Sequence, residues 1–346
     1  MKPEQVEKVA VLGAGVMGHG ISQVAAVAGF NVVVRDISQE FLDRGRQGIE
    51  RSLGRLVKKG RMNEETAQAA LGRISMTLDI SEAVGDADLV VEAIPERLEL
   101  KRRVWREASE KARSEAVLAT NTSSLSITSI AEAVSRPERF VGMHFFNPPA
   151  LMRLVEVIPG ARTSSETVEA VKVLAERMGK TSVAVKRDAP GFIVNRVLIT
   201  YLNEAAKLLD AGYAKEQIDS AMQHRAGMPL GPFMLSDLIG LDIVYDILKV
   251  FEEELGPRYR PAKPIEALFR EGKLGRKTGE GFYSYEERSR VAEEAGEGFD
   301  IDLLLKLLIE EAEKVVEEGV ADREAVDTAM KLGANLPKGP FEMARR

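Results

Sequence analysis

The residues best suited to chemistry are a histidine and a glutamate in the segment RFVGMHFFNPPALMRLVEVIPG. His144 is one of three histidines in the chain, and Glu156 follows twelve residues later. Phe140 to His144 and Arg153 to Val157 are predicted to form two short buried strands, which could bring the two side chains together. A carboxylate bonded to one imidazole nitrogen fixes the tautomer and makes the other nitrogen a better general base. The alternative is a core histidine whose nitrogens are satisfied by its neighbours.

The elements that would position such a pair begin with a βαβ unit, KVAVLGAGVMGHGISQVAAVAGFNVVVRDIS. An apolar strand from Val9 to Leu12 is followed by the pattern G-x-G-x-x-G, a helix of small residues and a second strand from Asn31 to Arg35. Gly13 permits the tight turn, Gly15 lets the backbone approach a pyrophosphate, and Gly18 lets helix and strand pack closely. The pattern predicts a dinucleotide site at the helix N-terminus.

An acidic residue at the end of the second strand indicates which dinucleotide is bound. Asp36 can accept hydrogen bonds from the ribose hydroxyls, and its charge would repel a 2′-phosphate. NAD is therefore favoured over NADP. NADP stays an alternative because of the neighbouring Arg35, since a guanidinium can bind a 2′-phosphate.

Two further buried strands, Leu89 to Ala93 and Val117 to Thr120, are predicted to end in polar turns. Ligands of doubly wound sheets collect at such carboxyl ends, so the loop from Asn121 to Ser124 is a candidate binding segment. Its other interpretation is capping of a helix that begins near Ser126. Between the βα units, residues 47–74 predict a charged helical pair, either solvated or in contact with an anionic substrate carrier.

Composition limits the classes of function. The chain has 346 residues, which is enough for two or more domains, and its net charge of -6 comes from interspersed acids and bases, unlike a nucleic-acid-binding surface. There is no cysteine, which excludes disulfides and thiolate catalysis. The sequence enters a strand without a signal peptide and has no membrane-spanning apolar run, so we expect a cytoplasmic protein that binds small molecules.

Five segments follow the glycine pattern in order: NTSSLSIT, GMHFFNPPALMRLVEVI, DAPGFIVNRV, GMPLGPFMLSDLIGLD and GRKTGEGFYSY. Together with that pattern they closely resemble the L-3-hydroxyacyl-CoA dehydrogenase family over roughly residues 6–286. The resemblance implies a Rossmann-type N-terminal domain, an all-α C-terminal domain and NAD-dependent, reversible oxidation of (S)-3-hydroxyacyl-CoA to 3-oxoacyl-CoA.

The resemblance also implies roles for single residues. His144 and Glu156 match the family's catalytic pair, with His144 as the general base, and Ser123 and Asn195 match its contacts to the substrate oxygen. Ser52 and Lys59 match contacts to CoA, and no metal is implied. The implied cofactor contacts are Gly13, Gly15, Val16, Met17, Gly18, Asp36, Glu96, Lys101, Asn121, Ser123 and Asn147.

Two other activities stay open. One is a hydroxy-acid dehydrogenase that does not use CoA, although such enzymes typically employ a lysine as the general acid or base. The other is the dehydrogenase part of a bifunctional enoyl-CoA hydratase/3-hydroxyacyl-CoA dehydrogenase. The sequence specifies neither the acyl-chain length nor the direction of flux.

The C-terminal part contains an internal repeat. A helical pattern starts at Pro190, with an amphipathic run from Phe192 to Leu209, and NEAAKLLDAGYAKEQIDSAM recurs as EEAEKVVEEGVADREAVDTAM. Each copy continues to a Gly-Pro-Phe triplet, and one added residue in the second copy shifts the register. We predict an NAD-binding domain at 1–188, a helical substrate and dimerisation domain at 189–288, and a partial second copy of it at 297–346.

The repeat resembles longer family members with two helical domains, some of which are fused to a hydratase. We therefore expect the chain to be a truncated or excised dehydrogenase part of such a fusion. Unduplicated relatives pair through their helical domains, so the expected assembly is a homodimer, or a monomer if the second copy takes the partner's place.

Overall fold

A computed structural model describes residues 2–285 and 291–345 of the chain. They fold into two compact units, Met1–Asp188 and Ala189–Arg346. Within the described residues, no helix combines the length and apolar character needed to cross a membrane. The same residues contain no group of His, Asp and Glu side chains that could hold a metal ion.

The first unit is built on a sheet of eight strands. These are β1 Lys8–Leu12, β2 Asn31–Arg35, β3 Ile74–Thr77, β4 Leu89–Glu92, β5 Val117–Thr120, β6 Phe140–Phe145, β7 Leu154–Pro159 and β8 Thr181–Ala184. Their order is β3-β2-β1-β4-β5-β6-β7-β8, and neighbouring strands are parallel except for the antiparallel pair β6 and β7. Its helices are α1 Val16–Val27, α2 Gln39–Lys58, α3 Glu64–Gly72, α4 Ile80–Val84, α5 Leu98–Lys111, α6 Ile127–Ala131 and α7 Ser165–Arg177.

The central strands are buried along their whole length. Every residue of β4, β5 and β6 is buried, as expected for strands that are covered by helices on both faces. Their runs of Val, Leu, Ala and Phe are apolar without alternation for the same reason. A charged side chain in such a strand, such as Glu92 or Glu156, must therefore have bonding partners.

The predicted Rossmann-type fold is confirmed. The sequence predicted β2 and β5 with their observed bounds, and β1, β4 and β6 to within one residue at one end, while β7 runs from Leu154 to Pro159. Strands β3 and β8 were not predicted. Both are four residues long and partly exposed at the two ends of the sheet, so their sequences lack a long apolar run.

The second unit is mainly helical, as predicted. Its helices are α8 Val194–Asp210, α9 Lys215–Ser220, α10 Pro232–Ile239, α11 Leu241–Leu255, α12 Lys263–Arg270, α13 Asp302–Glu317, α14 Arg323–Gly333 and α15 Pro340–Ala344. A π-helical turn, Ala221–Arg225, extends α9. The expectation of a wholly helical pattern was wrong for residues 275–284, which form turns with isolated β-bridges. Helix α12 has ended at Arg270, with Gly272 at a φ of 71° shortly after it, and Gly275 and Gly279, which also have positive φ, lie within the turns.

The two copies of the repeat use the same local device. In the first copy, Asp219 accepts hydrogen bonds from the N–H groups of Phe233 (2.8 Å) and Met234 (3.0 Å) at the start of α10. In the second, Asp327 accepts one from Phe341 N–H (2.8 Å) at the start of α15. The glycine of each Gly-Pro-Phe triplet lies against the aspartate, where a Cβ would come within 2.4 and 2.2 Å of it. The shared Asp, Gly, Pro and Phe therefore encode one helix–helix junction.

Asp219 makes the stability of the helical unit depend on pH. Burial raises the pKa of this carboxyl from 3.8 to about 7, against the opposing effect of its two N–H donors. Between about pH 4 and 7 the folded state therefore holds more protons than the unfolded state. The free energy of unfolding should fall as pH rises through this window and, for this group, level off above it.

We expect Asp219→Asn to flatten this dependence, because the amide does not titrate. The melting temperature should be measured at pH 5 and pH 8, where ~1 kcal/mol corresponds to about 2–4 °C. The drop between the two pH values should be several degrees smaller in the variant than in the wild type. The exposed Asp210→Asn should keep the wild-type drop. An equal drop in Asp219→Asn would show that Asp219 does not titrate in this range.

Candidate active site

His144 and Glu156 lie directly opposite each other in the antiparallel pair β6 and β7. Imidazole Nδ1 is 2.8 Å from Glu156 Oε2, and the residues are 5% and 0% exposed. The ring of Phe146 packs 4.4 Å from the imidazole, centroid to centroid. A carboxylate held at Nδ1 fixes the tautomer with the proton on Nδ1, so Nε2 is the nitrogen suited to exchange a proton with a ligand.

The connection between these strands is fixed on two sides. The Asn147–Pro148 peptide is cis, and Asn147 is exposed. Lys180 donates hydrogen bonds to the carbonyls of Pro149 (2.5 Å) and Met152 (2.8 Å), and burial lowers the pKa of this ammonium to about 8. Pro149 also packs on helix α1, where a Cβ on Gly20 would lie 2.8 Å from its ring. The loop that carries Asn147 is therefore held against the helix that starts at the glycine pattern.

The glycines form a cradle that fits a dinucleotide. Gly13 has a φ of +107°, and a Cβ there would meet the carbonyl oxygen of Ala93 at 2.6 Å. A Cβ on Gly18 would lie 1.8 Å from the Gly13 carbonyl oxygen, so neither position accepts a side chain. Gly15 caps α1 and faces open space, because a Cβ on it would have no neighbouring atom within 4 Å. Open space at a helix N-terminus is the environment a pyrophosphate needs.

Asp36 lies beside this cradle at the end of β2. One carboxylate oxygen accepts a hydrogen bond from Ala14 N–H (2.7 Å) and the other from Ile37 N–H (2.6 Å). These contacts fix the carboxylate next to the glycine turn. Arg35 donates instead to the carbonyl of Leu78 (3.3 Å) at the end of β3. The arrangement favours NAD, because the carboxylate is adjacent to the cradle and the guanidinium is engaged elsewhere.

The loop after β5 gathers around a second carboxylate. Glu96 Oε1 accepts hydrogen bonds from Thr122 Oγ1 (2.5 Å), Ser123 N–H (2.7 Å) and Ser124 N–H (3.1 Å). Asn121 instead accepts a hydrogen bond from Phe145 N–H (2.8 Å), next to His144. Glu96, Asn121 and Ser123 are thus brought together at the carboxyl ends of β4 and β5. The cap of α6 is Ser126, so the alternative interpretation, in which one or two residues of the loop from Asn121 to Ser124 cap this helix, was wrong.

Lys101, a predicted cofactor contact, is only 1% exposed. Its ammonium lies 2.6 Å from Glu92 Oε1 and 3.3 Å from Glu96 Oε2. The sequence analysis did not identify Glu92. The signal that could have identified it is a single carboxylate in the otherwise apolar strand LVVE. Val16 and Met17 occupy the first turn of α1, where Val16 is 62% exposed.

The residues expected to contact CoA lie on α2 and at its C-terminal end. Ser52 and Lys59 are seven residues apart, so they share a helix face with Arg55. This face ends in the basic sequence KKGR, at residues 58–61. Asn195 is the second residue of α8 in the helical unit.

Comparison with known proteins identifies relatives. The model of the 3-hydroxyacyl-CoA dehydrogenase NAD-binding domain matches residues 8–189, and that of the C-terminal domain matches residues 191–285 and 298–346. The chain is 47% identical to a probable 3-hydroxybutyryl-CoA dehydrogenase of Deinococcus radiodurans, over 80% of this chain and 100% of that protein. It is 43% identical to the mitochondrial hydroxyacyl-coenzyme A dehydrogenase of Sus scrofa, over 81% and 91%. The crystal structure of 3-hydroxybutyryl-CoA dehydrogenase from Escherichia coli K12 superposes with a TM-score of 0.92 and 31% identity, over 99% of this chain and 91% of that chain.

We expect Asp36→Asn to weaken NADH binding and to reduce the preference over NADPH. Hydrogen bonds to a charged group contribute about 1.5–3 kcal/mol, so the dissociation constant for NADH should rise about 10- to 100-fold. Fluorescence titration with NADH and NADPH measures both constants without any turnover. The exposed Asp43→Asn on α2 is the control. Unchanged NADH binding in Asp36→Asn would show that this carboxylate does not contact the ribose.

Proposed function

Because this chain belongs to the 3-hydroxyacyl-CoA dehydrogenase family, we propose that it oxidises (S)-3-hydroxyacyl-CoA to 3-oxoacyl-CoA with NAD, reversibly. The observation that carries the proposal is the buried pair of His144 and Glu156 within a unit that has the NAD cradle. The chemistry that bound NAD supplies is acceptance of the hydride from C3. Gly13, Gly15, Gly18 and Asp36 would hold it, together with the first turn of α1.

The chain's own part in the reaction is to move one proton. In the oxidation, His144 takes the proton of the 3-hydroxyl group at Nε2, and in the reduction it returns that proton to the C3 oxygen. Glu156 stabilises the imidazolium that forms and keeps the proton of Nδ1 in place. General acid–base catalysis of this kind contributes about 10²- to 10⁴-fold to the rate.

Donors near the C3 oxygen stabilise the charge that develops there. We assign this role to the side chain of Ser123. The N–H of Ser123 donates a hydrogen bond to Glu96, and this contact fixes the loop. A preorganised donor at a developing oxyanion contributes about 3–4 kcal/mol in other enzymes. The role of Asn195 as a substrate contact, and of Asn147 as a cofactor contact, stays a prediction.

The CoA carrier is assigned to the basic face of α2. Ser52, Arg55 and Lys59 point the same way along the helix, and phosphate groups of CoA would bind these donors. The names of the bacterial relatives refer to 3-hydroxybutyryl-CoA, which supports a four-carbon substrate for this chain. The cytoplasmic location and a fusion to a hydratase stay predictions.

The internal repeat bears on assembly. Helix α13 is the equivalent of α8 in the second copy. Counting back from the matched glycines 212 and 319, its Glu311 corresponds to Glu204 of α8. Arg196 of α8 is buried and donates to Glu311 (Nε to Oε1, 2.5 Å) and to Glu318 (Nη2 to Oε1, 2.9 Å). The second copy thus binds the first within one chain. We assign to α13 the place that a partner's helix would take, so the protein is a monomer rather than a homodimer.

The assembly proposal predicts a monomer at every concentration from nanomolar to micromolar, measured by sedimentation velocity. Glu311→Ala should lower the unfolding free energy by about 3–5 kcal/mol, because it leaves the buried Arg196 charge without its nearest partner. Glu310→Ala, at the exposed neighbouring position, should change it little. A tight dimer at low concentration would contradict the monomer.

The activity proposal is tested by following NADH loss with acetoacetyl-CoA, a longer-chain 3-oxoacyl-CoA and free acetoacetate. We expect turnover with the CoA esters only, fastest with acetoacetyl-CoA. His144→Ala should lower kcat by about 10²- to 10⁴-fold and leave NADH affinity nearly unchanged, because the imidazole acts on the proton. The exposed His224→Ala is the control. Turnover of free acetoacetate would favour a dehydrogenase without CoA, and a large loss of NADH affinity in His144→Ala would make that histidine structural.

A further inference from the structure

A fully buried carboxylate at the carboxyl end of β4 has four hydrogen-bond donors. Glu92 is 0% exposed, and its Oε1 accepts from Lys101 Nζ (2.6 Å) and Ile94 N–H (2.8 Å). Its Oε2 accepts from Thr120 Oγ1 (2.8 Å) and Trp105 Nε1 (3.2 Å). The donors come from β5, α5 and the turn after β4, so this one side chain joins three elements.

Lys101 links Glu92 to a second carboxylate, Glu96. Its ammonium also lies 3.3 Å from Glu96 Oε2 and donates to the carbonyl of Ile94 (3.2 Å). Burial opposes the charge, but the two carboxylates more than offset it and the pKa of Lys101 is raised. The ammonium is therefore charged at neutral pH and is held between Glu92 and Glu96.

Glu96 is the outer end of this arrangement. Burial opposes its charge too, but Lys101 and the donors of the loop lower its pKa. One oxygen faces Lys101, and the other receives the N–H groups of Ser123 and Ser124. A continuous series of contacts thus runs from Glu92 through Lys101 and Glu96 to the backbone of Ser123.

We infer that Glu92 is a positioning residue for the reaction, acting through Lys101 and Glu96 on the loop that carries Ser123. The inference rests on the proposed function, because it assigns Ser123 to the C3 oxygen. In this arrangement Lys101 links Glu92 to Glu96. The need for Glu92 follows from charge: with Glu92 neutral, the ammonium has Glu96 as its remaining carboxylate and draws it away from the N–H groups of the loop.

Glu92→Gln tests this, because it keeps the shape of the side chain and removes its charge. We expect kcat with acetoacetyl-CoA to fall about 10- to 100-fold, with little change in KM, since the misplaced group acts in the transition state. Hydrogen exchange of the peptide covering residues 121–126 should become faster. Glu92→Asp keeps the charge but shortens the reach to Lys101, so its kcat and its exchange should lie between those of the wild type and Glu92→Gln. Glu92→Asp replaces Glu92→Gln in this test if the latter does not fold.

Two controls separate positioning from stability. Val117→Ala removes buried volume at the far end of β5, so it should lower the melting temperature without changing kcat or the exchange of residues 121–126. Glu107→Gln alters an exposed carboxylate on α5 and should change neither.

The outcomes separate the two proposals. A wild-type protein that does not reduce acetoacetyl-CoA contradicts the proposed function, whatever the variants do. Wild-type exchange of residues 121–126 in Glu92→Gln, or in Glu92→Asp if the former does not fold, overturns the positioning role with or without activity. The positioning role is also overturned if Val117→Ala loses as much kcat as the Glu92 variant for the same drop in melting temperature.

Discussion

The structure of the NAD-binding unit depends on the hydrogen bonds and charged partners of its buried carboxylates. A charge removed from water costs several kcal/mol unless hydrogen bonds and an opposite charge replace the solvent. Glu92 and Glu156 both have 0% exposure within strands that are otherwise apolar. Glu92 is bonded to an ammonium, and Glu156 to an imidazole. Both pairs lie near the carboxyl ends of their strands, where Glu92 ends β4 and His144 is the second-last residue of β6.

How far the sequence predicts the site depends on whether the signal is local. The cradle could be predicted because Gly13, Gly15 and Gly18 act over a single turn, and the strand before it has an apolar run. The pairing of His144 with Glu156 required only two short adjacent strands. The burial of Lys101 could not be predicted, because it depends on Glu92 and on helix α5 packing over β4. A lysine in a charged helix segment otherwise predicts a solvated side chain.

The repeat illustrates the same distinction within the helical unit. The recurrence of Asp, Gly, Pro and Phe is visible in the sequence, but its cause is a contact between helices. A Cβ on Gly231 or Gly339 would overlap the aspartate that caps the following helix, so glycine is required at both positions. The turns around Gly275 follow from a further contact of this kind. Asp237 accepts hydrogen bonds from the N–H groups of Phe282 and Tyr283, and this holds the segment in a path that helical patterning does not predict.

The direction of β7 explains why His144 and Glu156 lie at the same end of the sheet as the glycine cradle. Ligands of parallel sheets bind at the carboxyl ends of the strands, where β4 and β5 end in Glu92 and Thr120. Because β7 runs antiparallel to β6, its first residues lie at that end, and Glu156 is the third of them. A parallel strand in this place would bring its last residues there instead. Asn121 then bonds Phe145 N–H and joins the end of β5 to that of β6, while Pro149 rests on Gly20 of α1. His144, Glu156 and the glycine cradle are thus held by direct contacts within one unit.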